Sequence, residues 1–181
     1  MKKIALYWAG PRCFLATMRR FDLETIRILE ENYGWIVYYP LKVVLEASQK
    51  NPNSPMFGKK GIIRTACFEY VEKSDIVVAY TGLIWDTGTA REVEYAVSKD
   101  KPVLAWSDSS VVFGETLGRN TVINGSDFDK LYVRTMPFNA LDVVFDRYLE
   151  ISELYNDGLK EQELAKEIDK EAKLALKNRN R

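Results

Sequence analysis

Trp85-Asp86-Thr87-Gly88-Thr89-Ala90-Arg91-Glu92-Val93-Glu94-Tyr95-Ala96 lies between two apolar runs, Asp75-Ile76-Val77-Val78-Ala79-Tyr80 and Pro102-Val103-Leu104-Ala105-Trp106. Short apolar runs bounded by turn signals fit strands buried on both faces. The stretch between them reads as a helix from Gly88 to about Lys99, which Thr87 or Asp86 can cap through a side-chain oxygen. Gly88 lets other groups approach the backbone closely. Strand, helix and strand in that order predict a parallel sheet with right-handed crossovers. Two acids, Asp86 and Glu92, then stand at the carboxyl end of a strand, where open α/β sheets bind ligands. Glu92 falls in the first turns of the helix, where the helix dipole favours an ionised carboxylate.

Working outward, residues 3–8 form a first apolar strand ending at Tyr7 and Trp8, broken by Ala9-Gly10-Pro11. Asp22 is expected to start a helix with Leu23, Ile26 and Leu29 at helical spacing, ended by Gly34 as a C-terminal cap. Trp35 to Tyr39 reads as a second strand, stopped by Pro40. Residues 46–61, rich in Asn, Pro, Ser and Gly, read as a long functional or mobile loop. Ile62 to Lys73 reads as a helix with Ile63, Ala66, Cys67 and Val71 inward. Met136-Pro137-Phe138-Asn139 is expected to open another helix, with Leu141, Val144, Phe145, Tyr148 and Leu149 on its apolar face. From about Tyr155 the chain is rich in Lys and Glu with a thin stripe of Leu164, Ile168, Ala172 and Ala175. It is expected to be a terminal helix packing on the domain or on a neighbouring subunit. The expected division is a doubly wound α/β domain over 1–155 and a charged helical tail over 156–181.

Composition narrows the chemistry. The chain has 181 residues, 46% hydrophobic, with 26 basic and 26 acidic side chains, so no overall field favours nucleic acid or an anionic membrane. Two cysteines, Cys13 and Cys67, make no disulfide framework, and the protein reads as cytoplasmic. The opening apolar run is too short for a signal peptide and reads as a strand. The chain has no histidine, which excludes Ser-His-Asp and Cys-His catalysis and a histidine-ligated metal. No cofactor or metal is expected. Without a Gly-x-Gly-x-x-Gly or P-loop motif, dinucleotide and triphosphate binding are disfavoured.

In a doubly wound sheet the first strand is central, with the second and third on either side of it. The loops after strands one and three then flank one crevice, so Tyr7 should face Asp86 and Glu92. A carboxylate pair beside a tyrosine suits glycosidic chemistry: an ionised glutamate attacks the anomeric carbon while a second acid assists the leaving group or a sugar hydroxyl. The phenol can orient the nucleophile. Taken singly, the pattern favours ordinary roles: Asp86 as a helix cap, Glu92 as a solvated position beside Arg91 and Lys99, and Tyr7 as a core-edge aromatic. Cys67 reads as a buried helix residue without chemistry. Trp8, Trp35, Trp85 and Trp106 read as core or pocket walls, with Trp8 and Trp85 nearest the crevice.

These residues resemble the nucleoside 2-deoxyribosyltransferases. Ile4 through Tyr7-Trp8-Ala9-Gly10-Pro11 is similar to the family's opening strand and Tyr-x-Ala-Gly-Pro turn. Asp86-Thr87-Gly88-Thr89-Ala90-Arg91-Glu92-Val93 is similar to its Asp-x-Gly-Thr-Ala-x-Glu signature, followed by Lys101-Pro102-Val103. Pro137-Phe138-Asn139-Ala140-Leu141 is similar to a later segment in some members. The resemblance implies a flavodoxin-like sheet with helices on both faces, and a homo-oligomer (dimer or hexamer) that completes each site across an interface. It implies Glu92 as the nucleophile, Asp86 assisting at the sugar or base, and Tyr7 hydrogen-bonded to the nucleophile. Asn139, donated by a neighbouring subunit, would contact the sugar. Ala9, Gly10, Gly88 and Thr89 are the expected substrate-binding backbone. Glu94 stands where the family usually has glycine, and Cys67 where many members carry a base-protonating aspartate.

The implied function is transfer of a 2-deoxyribosyl group between nucleobases, with a nucleoside and a free base as partners and neither nucleic acid nor membrane. The alternative is an N-glycosidase that hydrolyses a nucleoside or nucleoside monophosphate, for which Arg12, Ser107, Ser109 and Ser110 are the candidate phosphate donors. A non-catalytic nucleotide-binding domain is the third reading.

Overall fold

The computed structural model describes residues 3–14, 16–56, 61–80, 87–107, 147–150 and 161–179. Its centre is a five-stranded sheet of β1 (Ala5–Ala9), β2 (Ile36–Tyr38), β3 (Ile76–Tyr80), β4 (Val103–Ser107) and β5 (Arg147–Glu150), in the order β2-β1-β3-β4-β5. Every pairing is parallel, with Tyr7 opposite Tyr38 on one side and Val77 on the other. The central position of β1, with β2 and β3 flanking it, is the doubly wound order expected from the chain's alternation.

The helices are α1 (Ala16–Tyr33), α2 (Pro40–Lys50), α3 (Ile62–Lys73), α4 (Thr87–Ser98) and α5 (Glu161–Arg179), and a short 3-10 turn spans Pro11–Phe14. Side chains alternate across a strand, so each strand feeds two cores. Leu6, Trp8, Ile76, Val78, Tyr80, Leu104 and Trp106 pack with α1 and α5 on one face. Tyr7, Ala9, Val77, Ala79 and Val103 pack with Cys67 and Val71 of α3 and Val93 and Ala96 of α4 on the other.

Three boundaries differ from the sequence reading. Helix α1 begins at Ala16 rather than Asp22; the Thr17-Met18-Arg19-Arg20 start lacks an apolar period, and Asp22 is a fully buried residue in the second turn. Pro40 does stop β2, but it does so as the first residue of α2, where a missing N–H costs nothing and the fixed φ is already helical. Residues 46–50, expected in a loop, belong to that helix. Tyr148 and Leu149, expected on a helix face, lie in β5. Gly34 follows α1 at φ +74°, the left-handed cap expected of it.

The thin stripe of the terminal helix is real. Leu164, Ile168 and Ala172 are fully buried and Ala175 nearly so, all in the core shared with α1. The indole N–H of Trp35 donates to Asp169 Oδ1 at 2.8 Å, which fixes the helix against the start of β2. None of the helices among the described residues is long and apolar enough to cross a membrane. The helix expected from Met136 and the mixed region before it lie outside the described residues.

Candidate active site

Tyr7 is the middle residue of β1 and is fully buried on the α3/α4 face. Its hydroxyl donates to Glu92 Oε1 at 2.9 Å, across 85 positions of sequence. Glu92 projects from the second turn of α4 and is only 9% exposed. That removes the reading of Glu92 as a solvated surface charge. The dipole effect falls off within the first turn of a helix, and Glu92 lies past it; the donor set against its carboxylate is the Tyr7 phenol. A hydrogen bond to a charged acceptor contributes about 1.5–3 kcal/mol. Burial, and then the negative charge of Glu92, hold the Tyr7 phenol well above its ordinary pKa. It is a donor and stays one.

A cavity of about 160 Å³ opens against this pair. Gly10, Gly88, Thr89 and Glu92 line it from the strand-end side, and Pro40, Leu41, Val44, Ile63 and Cys67 from α2 and α3, with Cys13 at its edge. Ala9 is buried behind Gly10 and paired with Ala79. Gly10 is required by a close approach: a Cβ there would sit 3.0 Å from Cβ of Tyr80. Four of the expected residues, Gly10, Gly88, Thr89 and Glu92, therefore share one cavity, with Tyr7 directly beneath. Asp86, Asn139 and Trp85 lie outside the described residues, as do Ser109 and Ser110.

Two expectations shift. Trp8 does not face the crevice. It alternates onto the opposite face, where its ring packs edge-on to Trp106 at 5.6 Å. Arg12 is no surface phosphate donor either. It is 1% exposed, its Nε donates to Asp22 Oδ1 at 2.9 Å, and its guanidinium lies over the rings of Phe21, Tyr80 and Trp106. Glu94 is exposed on the outer side of α4, where it borders a separate groove with Arg64, Phe68, Arg91, Tyr95 and Ser98. It adds no charge to the cavity.

Pro40 signals the end of a strand, and the apolar wall that α2 adds to the cavity lies beyond that signal. Its signal was there: Pro40, Val43 and Val44 recur on one face at helical spacing. Cys67, expected as a buried helix residue without chemistry, is buried in α3 and lines the cavity with Glu92. Among the described residues, no group of His, Cys, Asp and Glu is arranged to hold a metal.

The family model described as nucleoside 2-deoxyribosyltransferase matches residues 6–141. The chain belongs to that family. A comparison with curated proteins gives no significant match. Among solved structures, a conserved protein from Enterococcus faecalis V583 is similar at 24% identity and TM-score 0.50, covering 94% of this chain and 99% of its own. A 2-desoxiribosyltransferase from Leishmania mexicana matches at 21% identity and TM-score 0.47, over 67% of this chain and 79% of that one. A CMP N-glycosidase from Clostridium botulinum matches at 15% identity and TM-score 0.47, over 91% and 98%. At 24% identity the likeness to the Enterococcus faecalis protein is one of fold. Chemistry has to be argued from the site.

Proposed function

We propose that this family member transfers a 2-deoxyribosyl group between nucleobases through a covalent intermediate on Glu92. One observation carries the reading: a carboxylate, buried at the edge of a cavity, is held by a buried phenol that stays protonated. The phenol directs one oxygen of the carboxylate, and a hydrogen bond to the charged form favours that form. That is what an anomeric nucleophile needs.

In this mechanism an oxygen of Glu92 attacks C1′ of a 2′-deoxynucleoside. The bond from C1′ to the base nitrogen breaks, and its electron pair leaves with the base. As the ring gains oxocarbenium character, the carboxylate stabilises it, and collapse gives a glycosyl ester. A second base attacks C1′ from the face the first one left, expelling Glu92, so two inversions give net retention. Tyr7 donates to the carboxylate throughout. Asp86 is assigned to proton or hydroxyl assistance at the sugar or base, and Asn139 of a neighbouring subunit to the sugar, both from the family motif. Gly10, Gly88 and Thr89 border the cavity where the nucleoside would sit, and Ala9 backs them.

The test is a deoxynucleoside incubated with and without a second free base. Exchanged nucleoside that forms only with added base is the expected result. Free sugar formed at the same rate without acceptor would make the protein an N-glycosidase. A glycosyl-protein mass on Glu92, trapped with a slow 2-fluoro substrate, would locate the covalent step.

A further inference from the structure

The cavity beside Glu92 has two unlike ends. Helix α3 packs against α4 on one side and against α2 on the other. Glu92 on α4 and Leu41 and Val44 on α2 therefore stand at opposite ends of the lining, with Ile63 of α3 between them. The phenol of Tyr70 on α3 donates to Glu46 Oε2 of α2 at 3.0 Å, which ties together the two helices that carry this wall. Leu41, Val44 and Ile63 are each half-buried: part of the side chain packs into a core, and each lines the cavity. Among the described residues, the α2 end with Pro40 offers hydrocarbon and no side-chain donor or acceptor. Glu92 and Thr89, with the backbone at Gly10 and Gly88, supply the polar part of the lining.

Displacement at C1′ puts the departing base on the far side of the sugar from the attacking Glu92 oxygen. The cavity leads from α4 toward α2, so the base is directed to the hydrocarbon end. A polar edge pressed on that wall leaves its lone pairs and N–H groups unsatisfied, at about fivefold to a hundredfold in affinity for each. A pyrimidine joined through N1 carries O2, N3 and its C4 substituent on one edge, and only C–H bonds at C5 and C6 on the other. A purine joined through N9 brings the N7 lone pair to the matching edge beside C8.

We propose that Leu41, Val44 and Ile63 form the specificity wall of the site, receiving the C5–C6 edge of a pyrimidine base and favouring an apolar substituent at C5. The inference rests on the reading of Glu92 as the nucleophile and deepens it by naming the class of base.

The experiment measures kcat/KM for thymidine and 2′-deoxyuridine, which differ by the C5 methyl alone, with one acceptor base throughout. Thymidine should be favoured about fourfold, the effect of burying one methyl group. Leu41→Ala, Val44→Ala and Ile63→Ala are compared in the same way, and the ratio should fall toward one where the truncated side chain meets the methyl. The ratio is internal to each variant, so a general loss of folded protein cancels. A ratio near one in the unaltered protein, or one that all three variants leave unchanged, overturns the wall.

A readout without turnover is the dissociation constant of each nucleoside for Glu92→Gln, measured by calorimetry. Thymidine should bind about fourfold tighter than 2′-deoxyuridine and at least about tenfold tighter than 2′-deoxyadenosine. A purine nucleoside that binds as tightly as thymidine overturns the pyrimidine assignment. A methyl preference in binding, in a protein that never exchanges bases, keeps the wall and removes the transfer reading. No binding of any of the three overturns both.

Discussion

On one face of the sheet Trp8, Tyr80 and Trp106 pack edge-on around the buried guanidinium of Arg12, and α1 and α5 close over them. On the other face the same strands show Tyr7, Ala9, Val77, Ala79 and Val103 to α3 and α4. The strands are shared, and alternate residues decide everything else. Large aromatics fill the first face, and its Arg12–Asp22 ion pair is sealed. Small side chains on the second face leave space between α2, α3 and α4, and the charge there, Glu92, borders a cavity. A buried charge needs a partner on either face. The first face supplies an opposite charge. The second supplies a neutral donor, the Tyr7 phenol, to the carboxylate of Glu92. One arrangement serves stability, and the other leaves a carboxylate beside a cavity.

The comparison can be broken by substitution. Glu92→Ala should reduce transfer about a thousandfold or more, while the unfolding midpoint holds or rises because a buried charge is gone. Transfer at near-normal rate would remove Glu92 from the chemistry. On the opposite face, Asp22→Ala leaves Arg12 buried without its carboxylate and should cost about 3–5 kcal/mol in denaturant unfolding. A cost under about 1 kcal/mol would mean that the first face is less sealed than its packing shows.

Tyr7→Phe sharpens the contrast because it removes only the donor. The kcat/KM should fall roughly 10- to 100-fold, the equivalent of one hydrogen bond to a charged group. It should also change the alkaline limit of stability. The Tyr7 phenol is raised well above its ordinary value of 10.0 in the fold, so above about pH 10 the unfolded chain gives up a proton that the folded chain keeps. Fewer protons bound in the unfolded state means that stability falls as pH rises, by about 1.4 kcal/mol per pH unit for one such group. Below that pH the contribution is complete. Thermal melts between pH 9 and 11 should therefore show a shallower decline in Tyr7→Phe, and an unchanged slope would contradict the raised pKa.

The smallest effect belongs to Trp35→Phe, which loses the indole donor to Asp169 on α5. About 1–2 kcal/mol of stability should go, with kcat/KM unaffected, since this contact lies on the sealed face. Reduced turnover would show that the two faces are coupled through β1 and β2.

Much of this was legible beforehand where signals were local. The apolar runs gave β1, β3 and β4 nearly to the residue, and α3 runs from Ile62 to Lys73 as its period predicts. The family motif pointed to Glu92 and Tyr7 before any geometry. What misled were residues with two local meanings. Pro40 ends a strand and also begins a helix; Asp22 has the chemistry of a helix cap but spends it on Arg12. Tyr148 and Leu149 fit a helical period by spacing alone, yet extend the sheet beside β4.

The sequence by itself determined the order of strands and helices, and with it the crevice between the ends of β1 and β3, because hydrophobic period and chain alternation are local properties with few topological solutions. Tertiary structure alone decided which face each alternate side chain joined. It sent Trp8 away from the crevice, sealed Arg12 beneath three rings, and brought Tyr7, Cys67 and the motif glutamate to one cavity. Those are contacts across tens of residues of chain, fixed by packing volume and by the need of every buried charge for a partner. The stretch around Glu92 named the carboxylate; only the fold set the Tyr7 phenol against it at the edge of a cavity.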